Sequence, residues 1–191
     1  MDLPADDVDV IHQAATLLVE GFKEHWPKGW STMDAALEEV HEALEPGKIC
    51  RVAMNDQGQV LGWIGALSEY EGNAWELHPL VVHPAHQGKG IGRALVLDLE
   101  EQVQAQGGLT LYVGTDDEDF MTSLSQVDLY ENTWEHIANI RNLKGHPYTF
   151  YQKMGFTIIG VIPDANGWNK PDIMMAKRVG KNDTQCVKCD T

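Results

Sequence analysis

Between Trp75 and Gly92 the chain reads W-E-L-H-P-L-V-V-H-P-A-H-Q-G-K-G-I-G, and few folds accept such a run. Trp75 to Val82 holds Trp, Leu, Val and Val in a run short enough for a strand. Pro79 lies inside it, where an ordinary central strand would lose a ladder hydrogen bond, so a bulge or a splay is expected there. Gly88-Lys89-Gly90-Ile91-Gly92 then leads into Arg93 to Gln106, where Leu95, Leu99 and Val103 recur at helical spacing. The order is strand, glycine loop, helix. A helix start presents unpaired N–H groups and the positive end of the helix dipole, and glycines let the backbone close on an anion, so the loop is expected to bind a diphosphate. Two familiar loops are excluded: Arg93 stands where the dinucleotide fingerprint needs its third glycine, and no G-x-x-x-x-G-K-[ST] occurs.

With 191 residues, 43% of them apolar, a single core is expected over residues 1–179, followed by a polar tail over 180–191 that frays. The opening M-D-L-P-A-D-D-V-D is acidic, with no basic segment followed by an apolar one, and no apolar run is long enough to span a membrane. A cytoplasmic location is expected. The formal charge of −15 disfavours nucleic acid and anionic membranes as partners and favours small polycations. Of three cysteines, Cys50 reads as a buried small hydrophobe, and the Cys186-x-x-Cys189 pair lacks the second pair that a closed metal site needs. His78, His83 and His86 likewise lack metal-ligand spacing, so no metal is expected.

Along the chain, Val8 to Trp26 predicts a helix capped by Asp6 or Asp7, and Ser31 is placed as the cap of a second helix running to Leu44. Ile49 to Met54 and Val60 to Leu67 flank Asn55-Asp56-Gln57-Gly58 and predict an antiparallel hairpin. Leu109 to Gly114 reads as a central strand. Helices are expected from Tyr130 to Leu143 and from Pro147 to Met154, then strands Phe156 to Ile162 and Ile173 to Arg178.

Gln87-Gly88-Lys89-Gly90-Ile91-Gly92 resembles the Q/R-x-x-G-x-G/A loop of the GCN5-related N-acetyltransferases (GNAT), which holds the pyrophosphate of acetyl-CoA. W-E-L-H-P-L-V-V, G-T-D-D-E, L-S-Q-V-D-L-Y, H-P-Y-T-F-Y-Q-K-M-G-F and P-D-A-N-G-W-N-K-P-D-I together resemble the aminoglycoside 6′-N-acetyltransferases over roughly residues 8 to 178. The resemblance implies an α/β fold with a mixed antiparallel and parallel sheet flanked by helices, its splayed strand holding acetyl-CoA. Leu80, Val81 and Val82 would contact the pantetheine arm, and Gln87, Gly88, Lys89, Gly90, Ile91, Gly92 and Arg93 the pyrophosphate. His86-Gln87 with Lys89, in place of an arginine-rich loop, leaves fewer cations for those phosphates.

Acetyl transfer to an amine needs a proton acceptor, a polarised thioester carbonyl and a proton source for the leaving thiolate. Glu76 and His78, two apart on one strand, share a face and are the candidate acceptors. The alternative is a salt-bridged Glu76 and a packed His78. Tyr151 matches the family tyrosine that acts as general acid, while Phe150 and Phe156 read as core. A backbone N–H near Leu80 would polarise the carbonyl.

A polycationic acceptor calls for carboxylates. Asp116 heads the run Asp116-Asp117-Glu118-Asp119 at the end of a strand, and Asp164 and Asp172 flank a late loop. Trp26 and Tyr70 match substrate-pocket aromatics of the resembled enzymes. The resemblance also implies a homodimer in which Asp172 could serve the partner's pocket. Two other readings stay open: a GNAT acting on a polyamine, peptide or other amino sugar, and a non-catalytic binder of polycations or acyl-CoA.

Overall fold

The computed structural model describes residues 1–23 and 29–180. Trp26 and the Cys186/Cys189 pair lie outside them. Helices α1 (Val8–Phe22) and α2 (Met33–Ala43) come first, then strands β1 (Ile49–Met54), β2 (Val60–Glu69) and β3 (Ala74–Val82). Helix α3 (Ile91–Ala105), strand β4 (Thr110–Asp116), short helices α4 (Thr133–Ala138) and α5 (Tyr148–Lys153), and strands β5 (Thr157–Ile162) and β6 (Asp172–Arg178) complete the chain. They build one mixed sheet in the order β1-β2-β3-β4-β6-β5, in which β3 and β4 are parallel and every other pair is antiparallel.

The local reasons are visible in the side chains. Asp7 caps α1 by accepting from the amides of Asp9 and Val10 at 3.1 Å. Thr32, one residue after the expected Ser31, caps α2 through the amide of Ala35, because its backbone is already extended where the helix begins. Asn55 closes the β1–β2 turn by accepting from the amides of Gln57 and Gln59 at 3.0 Å. The expected helix from Tyr130 to Leu143 shrinks to Thr133–Ala138. Asn132 before it has left-handed backbone, and Asn142 beyond it gives its side chain to the next turn, accepting from Gly145 and His146.

Two apolar clusters sandwich the sheet. On one face Leu95, Val96, Leu99 and Val103 of α3 and Tyr151 of α5 pack against Ile64, Trp75, Leu77, Leu111, Val113, Ile173 and Met175. On the other, α1 and α2 cover Cys50, Val52, Trp63 and Val81, with Trp63 Nε1 donating to the Ala14 carbonyl at 3.0 Å. Buried in this second cluster, the Cys50 thiol has its pKa pushed up to about 12 by desolvation and by Asp2, which leaves it an inert hydrophobe. Arg51, on the α3 side of β1, ties that strand to α3 through Asp98 and to the N-terminus through Asp2. The two helices α1 and α2 contact β2 and β3 but do not extend over β4 and β6. That half of the second face carries Tyr112, Asp116 and Asp172, which alternate with the buried Leu111, Val113 and Ile173.

Candidate active site

The bulge expected at Pro79 is present. Leu77 pairs with Ala66 and Leu80 with Ile64, so His78 and Pro79, joined by a cis peptide bond, face Gly65 alone. Gly65 has to be glycine, since a Cβ there would lie 2.4 Å from the His78 carbonyl oxygen. The extra residue reverses the side-chain alternation. Before it, Trp75 and Leu77 point to α3 while Glu76 and His78 point to the other face. After it, Leu80 and Val82 point to α3 and Val81 to α1 and α2.

The splay is present too. Parallel pairing between β3 and β4 runs only from Ala74–Thr110 to Glu76–Tyr112, so β3 beyond Glu76 has an open edge toward β4. His83 donates to the Leu61 carbonyl at 2.9 Å, which fixes which backbone groups turn which way. By alternation Val81 spends its polar groups on Trp63 of β2, and Leu80 and Val82 turn theirs into the gap. The Val82 carbonyl is partly used there, accepting from Gln87 Nε2 at 3.2 Å.

At the end of the open edge, Gly88 and Gly90 have φ of +72° and +88°, and a Cβ at either would meet nothing within 4 Å. Gly90 caps α3 without a side chain, and the amides from Gly88 to Arg93 donate to no backbone carbonyl among the described residues. With no acidic residue in the first turn of α3 and an exposed Arg93 beside it, the loop has the chemistry to accept an anion. Lys89 Nζ is folded back on the Ala85 carbonyl at 2.9 Å. Phe150 of α5 stands 3.5 Å from where a Gly92 Cβ would be, which seats α5 against the loop.

On the face opposite α3, the structure brings together Glu76 of β3, Tyr112 and Asp116 of β4, and Asp172 of β6. The Tyr112 hydroxyl donates to Glu76 Oε2 at 3.3 Å. Burial, together with Glu76, Glu69 and Tyr70, pushes the Tyr112 pKa up to about 12, so it stays a protonated donor. Glu76 therefore meets a neutral phenol, and among the described residues no cationic side chain pairs with it. Tyr70 is 76% exposed on the turn beside this cluster. Asp116 is exposed and accepts from Asn166 Nδ2. Asp172 is largely buried, and its pKa is raised to about 6 by desolvation first and then by Asp116 and Glu76, against the pull of the Thr115 and Ile173 amides. His78 sits 3.6 Å from Glu39 Oε1 of α2, with the Trp30 ring centroid 5.7 Å away. Glu39 is itself held by Trp30 Nε1 at 3.1 Å.

Tyr151 lies on the α3 side of the sheet, between the rings of Phe150 and Phe156 and only 6% exposed, and burial raises its pKa, so the phenol keeps its proton. Asp117 leaves the acidic run. Fully buried, it accepts from the amides of Met121 and Thr122 and from the Thr122 hydroxyl, and so ties the loop after β4. Glu118 pairs with Lys170 at 3.9 Å. Tyr112 and Gly114 escaped the sequence reading. Both alternate with the buried Leu111 and Val113, which gives their face, but only the register of β4 between β3 and β6 gives their neighbours. Among the described residues no group of histidine, cysteine and carboxylate side chains is arranged to hold a metal ion, and no helix is long and apolar enough to cross a membrane.

A splayed parallel pair that ends in a glycine-capped helix defines a class of protein, and similarity to known proteins agrees. Residues 11–131 match the model of the acetyltransferase (GNAT) family, and the chain belongs to that family. A crystal structure of an aminoglycoside 6′-N-acetyltransferase complexed with coenzyme A is 44% identical, with a TM-score of 0.86 over 94% of this chain and 96% of that one. The aminoglycoside 6′-N-acetyltransferase of Enterococcus faecium is 42% identical over the same shares, with a TM-score of 0.85. An aminoglycoside 6′-acetyltransferase type Ii is 35% identical, with a TM-score of 0.71 over 94% and 96%. No curated protein matches the chain.

Proposed function

We propose that this protein transfers an acetyl group from acetyl-CoA to the 6′-amine of an aminoglycoside, and so protects a bacterium against such antibiotics. The observation that carries the reading is the carboxylate-lined sheet face beside the parting of β3 and β4, in a chain 42–44% identical to aminoglycoside 6′-N-acetyltransferases. The face suits an acceptor with several ammonium groups.

Acetyl-CoA, when bound, supplies a thioester whose acetyl carbon accepts the amine. The amides of Gly88 to Gly92 hold its pyrophosphate, with Arg93 and Lys89 adding charge at the rim. Leu80, whose backbone faces the gap, offers its N–H to the carbonyl oxygen, where charge grows during transfer. An alkylamine near pKa 10.4 is protonated at neutral pH, and Glu76 takes that proton directly or through water. Tyr112 steadies the Glu76 carboxylate at Oε2. His78 stands one strand period away as the second acceptor. Tyr151 gives its phenolic proton to the departing sulfur. Glu76 and Tyr151 belong to opposite faces of the sheet, and transfer would run through the parting of β3 and β4 beyond Glu76. Asp116, Asp172 and the exposed Tyr70 line the acceptor side. A cytoplasmic homodimer fits the acidic chain and the exposed Ile159 and Ile162 on the edge strand β5.

The test is release of the coenzyme A thiol with neomycin and, in parallel, with paromomycin, which has a hydroxyl in place of the 6′-amine. Release with neomycin alone is expected. Release with both would move the reacting amine elsewhere, and release with neither would reject the aminoglycoside.

A further inference from the structure

His146 is a fully buried imidazole outside the group of proton donors and acceptors at the reacting centre. Its Nδ1 lies 3.2 Å from the Tyr148 amide, which can only donate, so Nδ1 carries no proton and accepts. The ring proton is then on Nε2, 3.1 Å from the Asp116 carbonyl oxygen, which can only accept. One form of the ring meets both contacts: neutral, protonated on Nε2. The backbone around it is held as well. Asn142 Oδ1 accepts from the Gly145 and His146 amides at 2.8 Å, and Asn142 Nδ2 donates to the His146 carbonyl at 2.8 Å.

These contacts bear on α5, which is six residues long and follows a proline that offers no side-chain cap. A helix that short takes its position from its ends and its packing rather than from its own hydrogen bonds. His146 gives the Tyr148 amide the acceptor that a capping side chain would give. Tyr151 lies one turn on, its amide directed to the Pro147 carbonyl at 3.4 Å. The far side of the imidazole is anchored on Asp116, the last residue of β4, whose exposed carboxylate is on the acceptor side. That anchor is firm, since the next amide, of Asp117, donates to the Pro171 carbonyl at 2.9 Å.

Resting on the reading of Tyr151 as proton donor in aminoglycoside acetylation, we propose that His146 is a positioning residue. It bridges β4 to α5 and so sets the Tyr151 hydroxyl at the departing sulfur. Fully buried, it touches neither substrate. A displacement of about 1 Å in a reacting group costs roughly 10²-fold in rate, whereas binding of the coenzyme rests on the glycine loop and the gap beside β3. The contribution of His146 therefore belongs to kcat.

The experiment is a double-mutant cycle on the full chain, with kcat and KM read from thiol release with acetyl-CoA and neomycin. His146→Leu, of similar size and without polar atoms, should lower kcat by about ten-fold or more and move the KM for acetyl-CoA by less than about three-fold. Tyr151→Phe should lower kcat by roughly 10²-fold. Adding His146→Leu to it should then change kcat by less than about two-fold, because no phenolic proton is left to place. His146→Gln, which lacks the acceptor for the Tyr148 amide, should give the same pattern and stands in if the leucine variant misfolds. A normal kcat in both His146 variants would overturn the positioning role. A further loss of about ten-fold on combining the substitutions would overturn it too, since a merely structural histidine acts independently of Tyr151. Near-normal kcat in Tyr151→Phe would overturn the proton-donor reading and the inference with it. A wild type that releases no thiol with neomycin would overturn both together with the aminoglycoside reading.

Discussion

The two faces of β4 and β6 are made by alternate residues of the same strands, and they answer to opposite demands. Toward α3 stand Leu111, Val113, Ile173 and Met175, all buried and packed as a continuous core. Toward the open face stand Tyr112, Gly114, Asp116 and Asp172: a phenol bound to a carboxylate, a missing side chain, an exposed acid and an acid with an unpaired oxygen. One side is optimised for burial and the other is kept incomplete. The difference shows that stability and chemistry are separated here by the two-residue period of a strand rather than by distance along the chain.

The largest effect should come from breaking the packed face. Ile173→Ala is expected to cost about 2–5 kcal/mol of stability, read as a lowered denaturation midpoint with an unchanged slope. Glu76→Gln, on the open face, should leave the midpoint nearly unchanged and lower turnover by roughly 10²-fold. Tyr151→Phe sharpens the contrast because Tyr151 belongs to the packed side. Turnover should fall by roughly 10²-fold as well, with the burst of thiol release slowed, and near-normal turnover would remove it from the mechanism. The smallest effect, and the one of opposite sign, is expected from Asp172→Asn. The Asp172 pKa is raised from 3.8 to about 6 in the fold, so the stabilising protonated form is fully present below pH 3.8 and is lost as pH rises through about 6. The asparagine variant should therefore melt roughly 2–4 °C above the wild type at pH 7.5 and coincide with it below pH 3.8. A lower melting temperature at pH 7.5 would mean that the open face is stabilising after all.

Features written in local sequence were legible. The hairpin turn at Asn55, the glycine loop, the helix after it and the bulge at Pro79 each follow from residues within a few positions of one another. Glu76 and His78 share a face as their spacing requires. Features that depend on register were not legible. Nothing in L-Y-V-G says that Tyr112 will stand beside Glu76, or that Gly114 will make room for a carboxylate 58 positions later, because both depend on β4 lying between β3 and β6. The acidic run shows the same limit from the other side. Four consecutive acids look alike in sequence, yet Asp117 is fully buried and ties a loop while Asp116 faces solvent, since the strand ends between them. The overlong helix after Tyr130 failed for a related reason: apolar spacing suggested continuity, and Asn132 and Asn142 found better partners for the backbone than another helical turn.

The bulge at His78 and Pro79 works as a phase slip in a periodic signal. With it, one strand turns Glu76 and His78 to the open face below and Val81 to the core of α1 and α2 above without changing direction. A deletion that restored the regular period would turn Leu80, Val81 and Val82 over together, or else Trp75, Glu76, Leu77 and His78, exchanging apolar for polar surroundings along half the strand. Variation in this strand is therefore confined to substitutions one side chain at a time, and the open face can diversify while the length of β3 stays fixed.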